Sequence, residues 1–309
     1  ASPIGGIGRR ARFKIAFLRE YLFDSDMGHH FNQIVVNVLS IFIIANVKNL
    51  KVLDLSQKII IKVGSSLLTN TNGGVRKSIL SNIVKDIAWL VKNKKQIIIV
   101  SSGAIAIGRG KLSISKNLSL NESQAVAARG QIELMTSWQN EFKKHKIHVA
   151  QILLSPQDTL NRKSSKNAQN TINTLWDLNC VPIINENDTT STDEIKFGDN
   201  DILAAKIAKL IKAESLILLS NVDGLYESSP KDKLESNLIK DVKVISKKIK
   251  DMAGVASKHG KGGMISKIEA AEICTKSKCS VIITSGLKDT PIKNLMNKNN
   301  KSTYFHPKK

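Results

Sequence analysis

The residues Ile183–Asp201, IINENDTTSTDEIKFGDND, carry six carboxylates (Glu186, Asp188, Asp193, Glu194, Asp199 and Asp201) against one cation, Lys196. The chain around them is basic, with a formal net charge of +21. Short acids and amides at this density, after the apolar run VPII, mark the end of a strand and the start of a loop. Loops at strand ends are where α/β proteins place their chemistry. A basic protein that gathers carboxylates in one loop has a use for them on a metal ion or an ammonium group. The plain alternative is a solvated acidic loop.

Three glycine-bearing loops add groups of the opposite sign. Gly64-Ser65-Ser66 follows Lys62, Ser101-Ser102-Gly103 follows an apolar run, and Lys261-Gly262-Gly263-Met264 opens a segment containing Lys267. Glycines let backbone N–H groups approach phosphates, and a helix N-terminus favours anions. Neither GxxxxGK[ST] nor GxGxxG is present, so this is neither a P-loop nor a dinucleotide fingerprint. A lysine ending a strand that otherwise reads III-V places its ammonium where an anion meets it, unless it snorkels to the surface. Two lysines near glycine loops and a carboxylate-rich loop are the parts phosphoryl transfer needs. A dehydrogenase would want a dinucleotide motif, and a hydrolase a nucleophile with a partnered base. None of the six histidines lies in such a motif.

The elements that must position these groups alternate along the chain. Strands are expected at 58–63, 96–100, 147–154, 181–184, 216–219 and 280–283, all short apolar runs. Helical spacing is read over 77–91, 121–144, 165–178 and 264–276, with a further helix after Gly198 capped by Asp199 or Asn200. Val242, Val244 and Ile245 mark a short strand in the Lys-rich stretch 231–250, and Tyr304-Phe305 a final one. Strands buried on both faces and alternating with helices predict a three-layer α/β/α sandwich with a largely parallel central sheet.

At 309 residues with 41% apolar content, the chain has enough core for one large domain or two modest ones. Residues 1–56 differ from the rest: RRARFKIAFLREYLF is basic and amphipathic, and Ile34–Val47 is apolar over only fourteen residues. A span needs about 20, so the sequence argues against stable membrane insertion. The charge is mostly lysine, and the arginines and aromatics that read bases are sparse, which argues against nucleic acid as the main partner. Three cysteines without a CxxC pair imply a reducing, cytoplasmic setting.

From about Gln57 to Phe305 the chain resembles the glutamate 5-kinases of the amino acid kinase family. The stretches that carry the resemblance are KIIIKVGSSLLT, IIIVSSGAIAIGR, VPIINENDTTSTDEIKFGDNDILAA, LILLSNVDGLY and GKGGMISKIEAAEI. The resemblance implies an amino acid kinase domain over 57–309, with ATP and Mg2+ passing a phosphoryl group to the side-chain carboxylate of L-glutamate. It implies a catalytic set of Lys62, Asp201 and Lys267, and glutamate binding by Ser102, Asp188 and Asn200. Nucleotide contacts would fall on Gly64, Ser65, Ser220 and Asn221 and on Lys261, Gly262, Gly263, Met264, Ile265, Ser266 and Lys267. It also implies feedback inhibition by proline and a homo-oligomer, dimer or tetramer. Asn221 stands where relatives commonly have an aspartate, and Lys261 where they have a small or basic residue. Residues 1–56 have no counterpart in the resemblance, and a C-terminal PUA domain common in bacterial relatives is not in the sequence. Asp193, Glu194 and Lys196 are expected in a lid or hairpin. The alternatives are the same fold acting on another carboxylate or phosphate acceptor, or a basic RNA-associated protein with impaired catalysis.

Overall fold

A computed structural model describes residues 53–114, 117–190, 200–228, 236–255, 263–297 and 299–308. After a helical turn at 53–55 come β1 (Lys58–Val63), α1 (Ser65–Leu68), α2 (Lys77–Lys92), β2 (Gln96–Ser101), α3 (Ala104–Lys111), α4 (Leu120–Lys143) and β3 (His148–Leu154). Then follow α5 (Pro156–Leu160), α6 (Arg162–Asp177), β4 (Cys180–Glu186), α7 (Asn200–Ile211), β5 (Ser215–Ser220), β6 (Asp241–Val242), α8 (Lys247–Val255), α9 (Met264–Lys276), β7 (Ser280–Ser285), α10 (Pro291–Met296) and β8 (Ser302–Phe305). The sheet order is β3-β4-β2-β1-β5-β7-β8-β6. Its first six strands are parallel, and β8 alone runs antiparallel to its neighbour β7.

The strands obey a period of two, which sorts their side chains into two layers. Ile60, Ile98, Ile184, Leu216 and Leu218 pack with α6, α7 and α9, whereas Ile59, Ile61, Ile97, Ile99 and Ile183 pack with α2 and α4. Lys62 shares the face of Ile60, so the alternation of β1 delivers its ammonium to the α7 and α9 layer. Parallel order also puts the carboxyl ends of β1, β2, β4 and β5 on one edge, where the chain leaves through Gly64, Ser102, Asn187 and Asn221.

The short helices α1, α5, α8 and α10 are not among the elements read from the sequence, and two further elements depart from its pattern. The strand expected near Val242, Val244 and Ile245 reduces to Asp241–Val242, because β8 offers it only two residues of pairing, and Val244 is 71% exposed. Helix α3 was not read because its sequence, AIAIGRGK, has glycines where periodicity needs side chains. Those glycines serve packing. A Cβ on Gly108 would stand 2.0 Å from the Val126 carbonyl oxygen of α4. The last residues of the amino-terminal segment also belong to the folded unit: Leu53 is buried, and the Ser56 and Ser215 hydroxyls share a 2.8 Å hydrogen bond.

Candidate active site

The centre forms where β1 ends against the amino termini of α7 and α9. Asp201, in the first turn of α7, is fully buried. Its Oδ1 lies 2.6 Å from Lys62 Nζ, and its Oδ2 lies 2.8 Å from Lys267 Nζ. Ser266 Oγ donates to Oδ2 at 3.2 Å. Burial alone would push this carboxyl upward, but the Lys62 and Lys267 ammoniums hold it below the ordinary carboxylate range. The trio keeps one net positive charge in a site from which water is largely excluded. Gly263, the N-cap of α9, supplies no side-chain hydrogen bond to that helix's first N–H groups, and among the described residues no side chain caps them.

Gly64 bears on the same space. A Cβ there would sit 3.7 Å from the Leu219 carbonyl oxygen and 3.9 Å from Lys62 Nζ, so the fold itself would accept a side chain. Its absence keeps the approach to Lys62 open. Ser65 follows at the exposed start of α1.

A relay of amides adjoins the charged centre. The backbone N–H of Glu186 donates to Asn185 Oδ1 at 2.9 Å, which fixes the orientation of the Asn185 amide. Asn185 Nδ2 therefore donates to Gln131 Oε1, at 2.7 Å. The same Oδ1 accepts from Asn200 Nδ2 at 3.0 Å, and that nitrogen also donates to Ser102 Oγ at 2.8 Å. One backbone donor thus sets the polarity of the whole chain, leaving Asn200 Oδ1 as a buried acceptor and Gln131 Nε2 as a buried donor, each without a hydrogen-bond partner among the described residues. Gly103 holds φ +115°, a left-handed value that glycine adopts without strain, and it turns the chain from Ser102 into α3.

Asp188 lies in the turn after β4, half-buried, with its pKa pushed up to about 7 by burial and by the neighbouring Glu186. It has no ion pair among the described residues. Ser220 ends β5, buried, with its hydroxyl 3.4 Å from Asn221 Oδ1, while Asn221 is exposed. Gly263, Met264 and Ile265 begin α9. Lys261, Gly262, Asp193, Glu194, Lys196 and Asp199 lie outside the described residues.

The structure therefore brings Lys62, Asp201, Ser266 and Lys267 into one cluster, and Ser102 and Asn200 into the adjoining relay. Asn185 and Gln131 were not singled out by sequence. Asn185 lay inside the marked NEND run as an amide within a buried strand. Gln131 gave no signal, because it stands on α4, 54 residues from the amide it orients. No group of three or more His, Cys, Asp or Glu side chains able to hold a metal occurs among the described residues. Two ammoniums closed on one carboxylate form a donor set suited to phosphoryl oxygens rather than to a cation.

The Amino acid kinase family profile matches residues 57–285. A glutamate 5-kinase of Pelagibacter ubique (strain HTCC1062) is 50% identical over 255 residues, covering 82% of this chain and 69% of the relative. The glutamate 5-kinase of Clostridium acetobutylicum is 44% identical over 260 residues, covering 84% of this chain and 97% of the relative. Among solved structures, the UMP kinase of Ureaplasma parvum superposes with a TM-score of 0.58 at 18% identity, over 81% of this chain and 98% of that one. The Giardia lamblia carbamate kinase bound to AMP-PNP gives 0.58 at 15% identity, over 82% and 99%. These two likenesses establish the fold alone. With the family profile spanning most of the chain and relatives this similar along it, the protein belongs to the amino acid kinase family, in the branch of the glutamate 5-kinases.

Proposed function

We propose that this chain transfers the γ-phosphoryl group of ATP to the side-chain carboxylate of L-glutamate, giving L-glutamyl 5-phosphate and ADP, the first step towards proline. The observation that carries the reading is Asp201 clamped between Lys62 and Lys267 beside the Asn200 and Ser102 relay. A carboxylate oxygen of glutamate attacks the γ-phosphorus, and the bond to the β,γ-bridging oxygen breaks. A carboxylate is already a nucleophile, so no general base is required. Lys62, from the glutamate side, and Lys267, from the nucleotide side, neutralise charge spreading over the transferred group. Asp201 fixes both ammoniums in place. The N–H groups at the start of α9 and the backbone at Gly64 cradle phosphates, and Ser220 and Asn221 lie on the nucleotide side. Magnesium enters this reading as the counter-ion the nucleotide's phosphates bring with them. By the same resemblance, the catalytic domain runs over 57–309, works in the cytoplasm as a dimer or tetramer, and answers to proline.

Asp188 is assigned to the substrate ammonium, and its raised pKa makes that assignment measurable. The carboxylate must be ionised to bind a cation, and protonation through about 7 removes its charge. The kcat/KM for glutamate should therefore fall about tenfold per pH unit below that value. Asp188→Asn should lose most of the activity at pH 8 and flatten this acid limb. A wild-type profile with no such limb would remove Asp188 from ammonium binding.

Gln131 orients the relay from outside the reacting centre. Gln131→Met leaves the Asn185 amide without its acceptor, and should raise the KM for glutamate by about tenfold. The kcat and the KM for ATP should stay within about threefold of wild type. An equal loss in kcat would mean that Gln131 supports the chemistry rather than the substrate.

The reading as a whole is tested by coupled ADP release. Glutamate should support turnover, while aspartate, acetylglutamate and UMP should not. Turnover with one of those acceptors in place of glutamate would reassign the substrate.

A further inference from the structure

Opposite the active site, the amino ends of the six parallel strands and the carboxyl ends of the returning helices share one edge of the sandwich. Four of the helix-to-strand turns there are built alike. After α2, α4, α7 and α9 the chain turns through Lys94, Lys146, Lys212 and Lys278, with φ of 62°, 58°, 55° and 62°. In each, the N–H of the next residue reaches back five positions: Lys95 to Leu90, Ile147 to Phe142, Ala213 to Ala208 and Cys279 to Cys274. This is the Schellman cap, whose left-handed residue is ordinarily glycine because a Cβ strains that conformation. A lysine near a helix C-terminus gains from the macrodipole, but a lysine in the last turn gains it without the strain. Lys92, Lys143, Lys209 and Lys276 already occupy such positions.

All four turn lysines are exposed, and none has a carboxylate partner among the described residues. Several nearby acids are engaged elsewhere, Glu141 with Lys144, Glu272 with Lys250 and Lys276, and Glu214 with the backbone N–H groups of Gln57 and Lys58, and the exposed Asp54 and Asp177 on this edge are outnumbered by its lysines. The same edge also exposes large apolar side chains, Leu55 at 79%, Leu178 at 67% and Val244 at 71%. Lysines interleaved with outward apolar groups fit an interface of anionic headgroups over acyl chains, whereas binding a nucleic acid strand would call for arginines and stacking aromatics. The chain also enters the domain at this edge, through Leu53, and the sequence before it contains the basic amphipathic run RRARFKIAFLREYLF. No helix among the described residues is long and apolar enough to cross a membrane.

We infer that this lysine edge is a docking surface for anionic lipid bilayers, with the active site facing away into solvent. The test uses the full chain and vesicles of phosphatidylcholine alone or mixed with phosphatidylglycerol. The chain should sediment with the mixed vesicles only, and the binding should weaken steeply as salt rises. A variant with Lys94, Lys146, Lys212 and Lys278 all changed to Gly removes four charges and relieves four strained turns, so it should fold at least as stably as the wild type. Its partition onto mixed vesicles should fall on the order of a thousandfold, with ADP release in solution unchanged. Undiminished binding by this variant, or equal wild-type binding to neutral vesicles, would overturn the inference. So would binding to a single-stranded RNA without binding to vesicles at the same salt. Loss of ADP release from the wild type would strike the kinase reading and leave the vesicle result standing.

Discussion

Asp201→Ala should lower glutamate-dependent ADP release by about a thousandfold or more. The substitution leaves Lys62 and Lys267, each only 6% exposed, facing one another without the carboxylate that compensates them. Breaking a buried ion pair from one side typically costs about 3–5 kcal/mol, since the remaining charge stays desolvated. Here two charges remain, and at least one ammonium should respond by losing its proton or swinging to solvent. Either response removes a cation from the transferred phosphoryl group. Asp201→Asn keeps the shape and an acceptor, so it should retain the native circular dichroism spectrum and still lose turnover. That separates catalysis from folding. The pH dependence has a definite sign. The carboxyl sits below its ordinary range, so its stabilising contribution is complete above that range and is lost as pH falls through the depressed value. Wild type should therefore lose more stability than Asp201→Asn on strong acidification. Unchanged turnover in either variant would show that the centre lies elsewhere.

Gly130→Ala should be the most damaging single-methyl change to the fold. A Cβ at this position in α4 would come within 1.8 Å of the Ala104 carbonyl oxygen at the start of α3. Backbone cannot yield as a flexible side chain can, so α3 and α4 must separate. Overpacking of this kind costs roughly 1–3 kcal/mol, and a clash with backbone belongs at or above the upper end. Because Ser102 and Gly103 lead directly into α3, the displacement should also reach the relay that Ser102 shares with Asn200. Chemical denaturation should show a lowered midpoint, and the KM for glutamate should rise in whatever fraction remains folded. A variant as stable as wild type would mean that the two helices are not held at the separation described.

The sheet and its layers were legible because their signal is local and strong. Ile59–Ile61 and Ile97–Ile99 are apolar on both faces, which a parallel strand between two helical layers requires. Helices α2 and α4 announced themselves by spacing, and the structure starts α4 with a capping box at Ser119 and Glu122. Helix α3 did not, because packing against α4 is achieved there by removing side chains, and a glycine reads as punctuation. The two-residue β6 was misplaced towards Val244 because pairing with β8, which is set by the return of the chain, decides where so short a strand lies.

The chemistry divides along the same line. Sequence alone singled out the candidate groups, a strand-end lysine, a carboxylate-rich loop and a glycine-opened helix bearing Lys267, and the family resemblance chose Asp201 among the loop's six carboxylates. Residue types and their places at element ends follow from local rules, so they survive without coordinates. Only the tertiary structure decided that Asp201 answers both lysines at once, since they are 139 and 66 residues away and meet only through the order of the sheet. It also decided that one backbone N–H polarises an amide chain reaching Gln131. Hydrogen-bond direction depends on which donor arrives first in space, and no spacing along the chain records that.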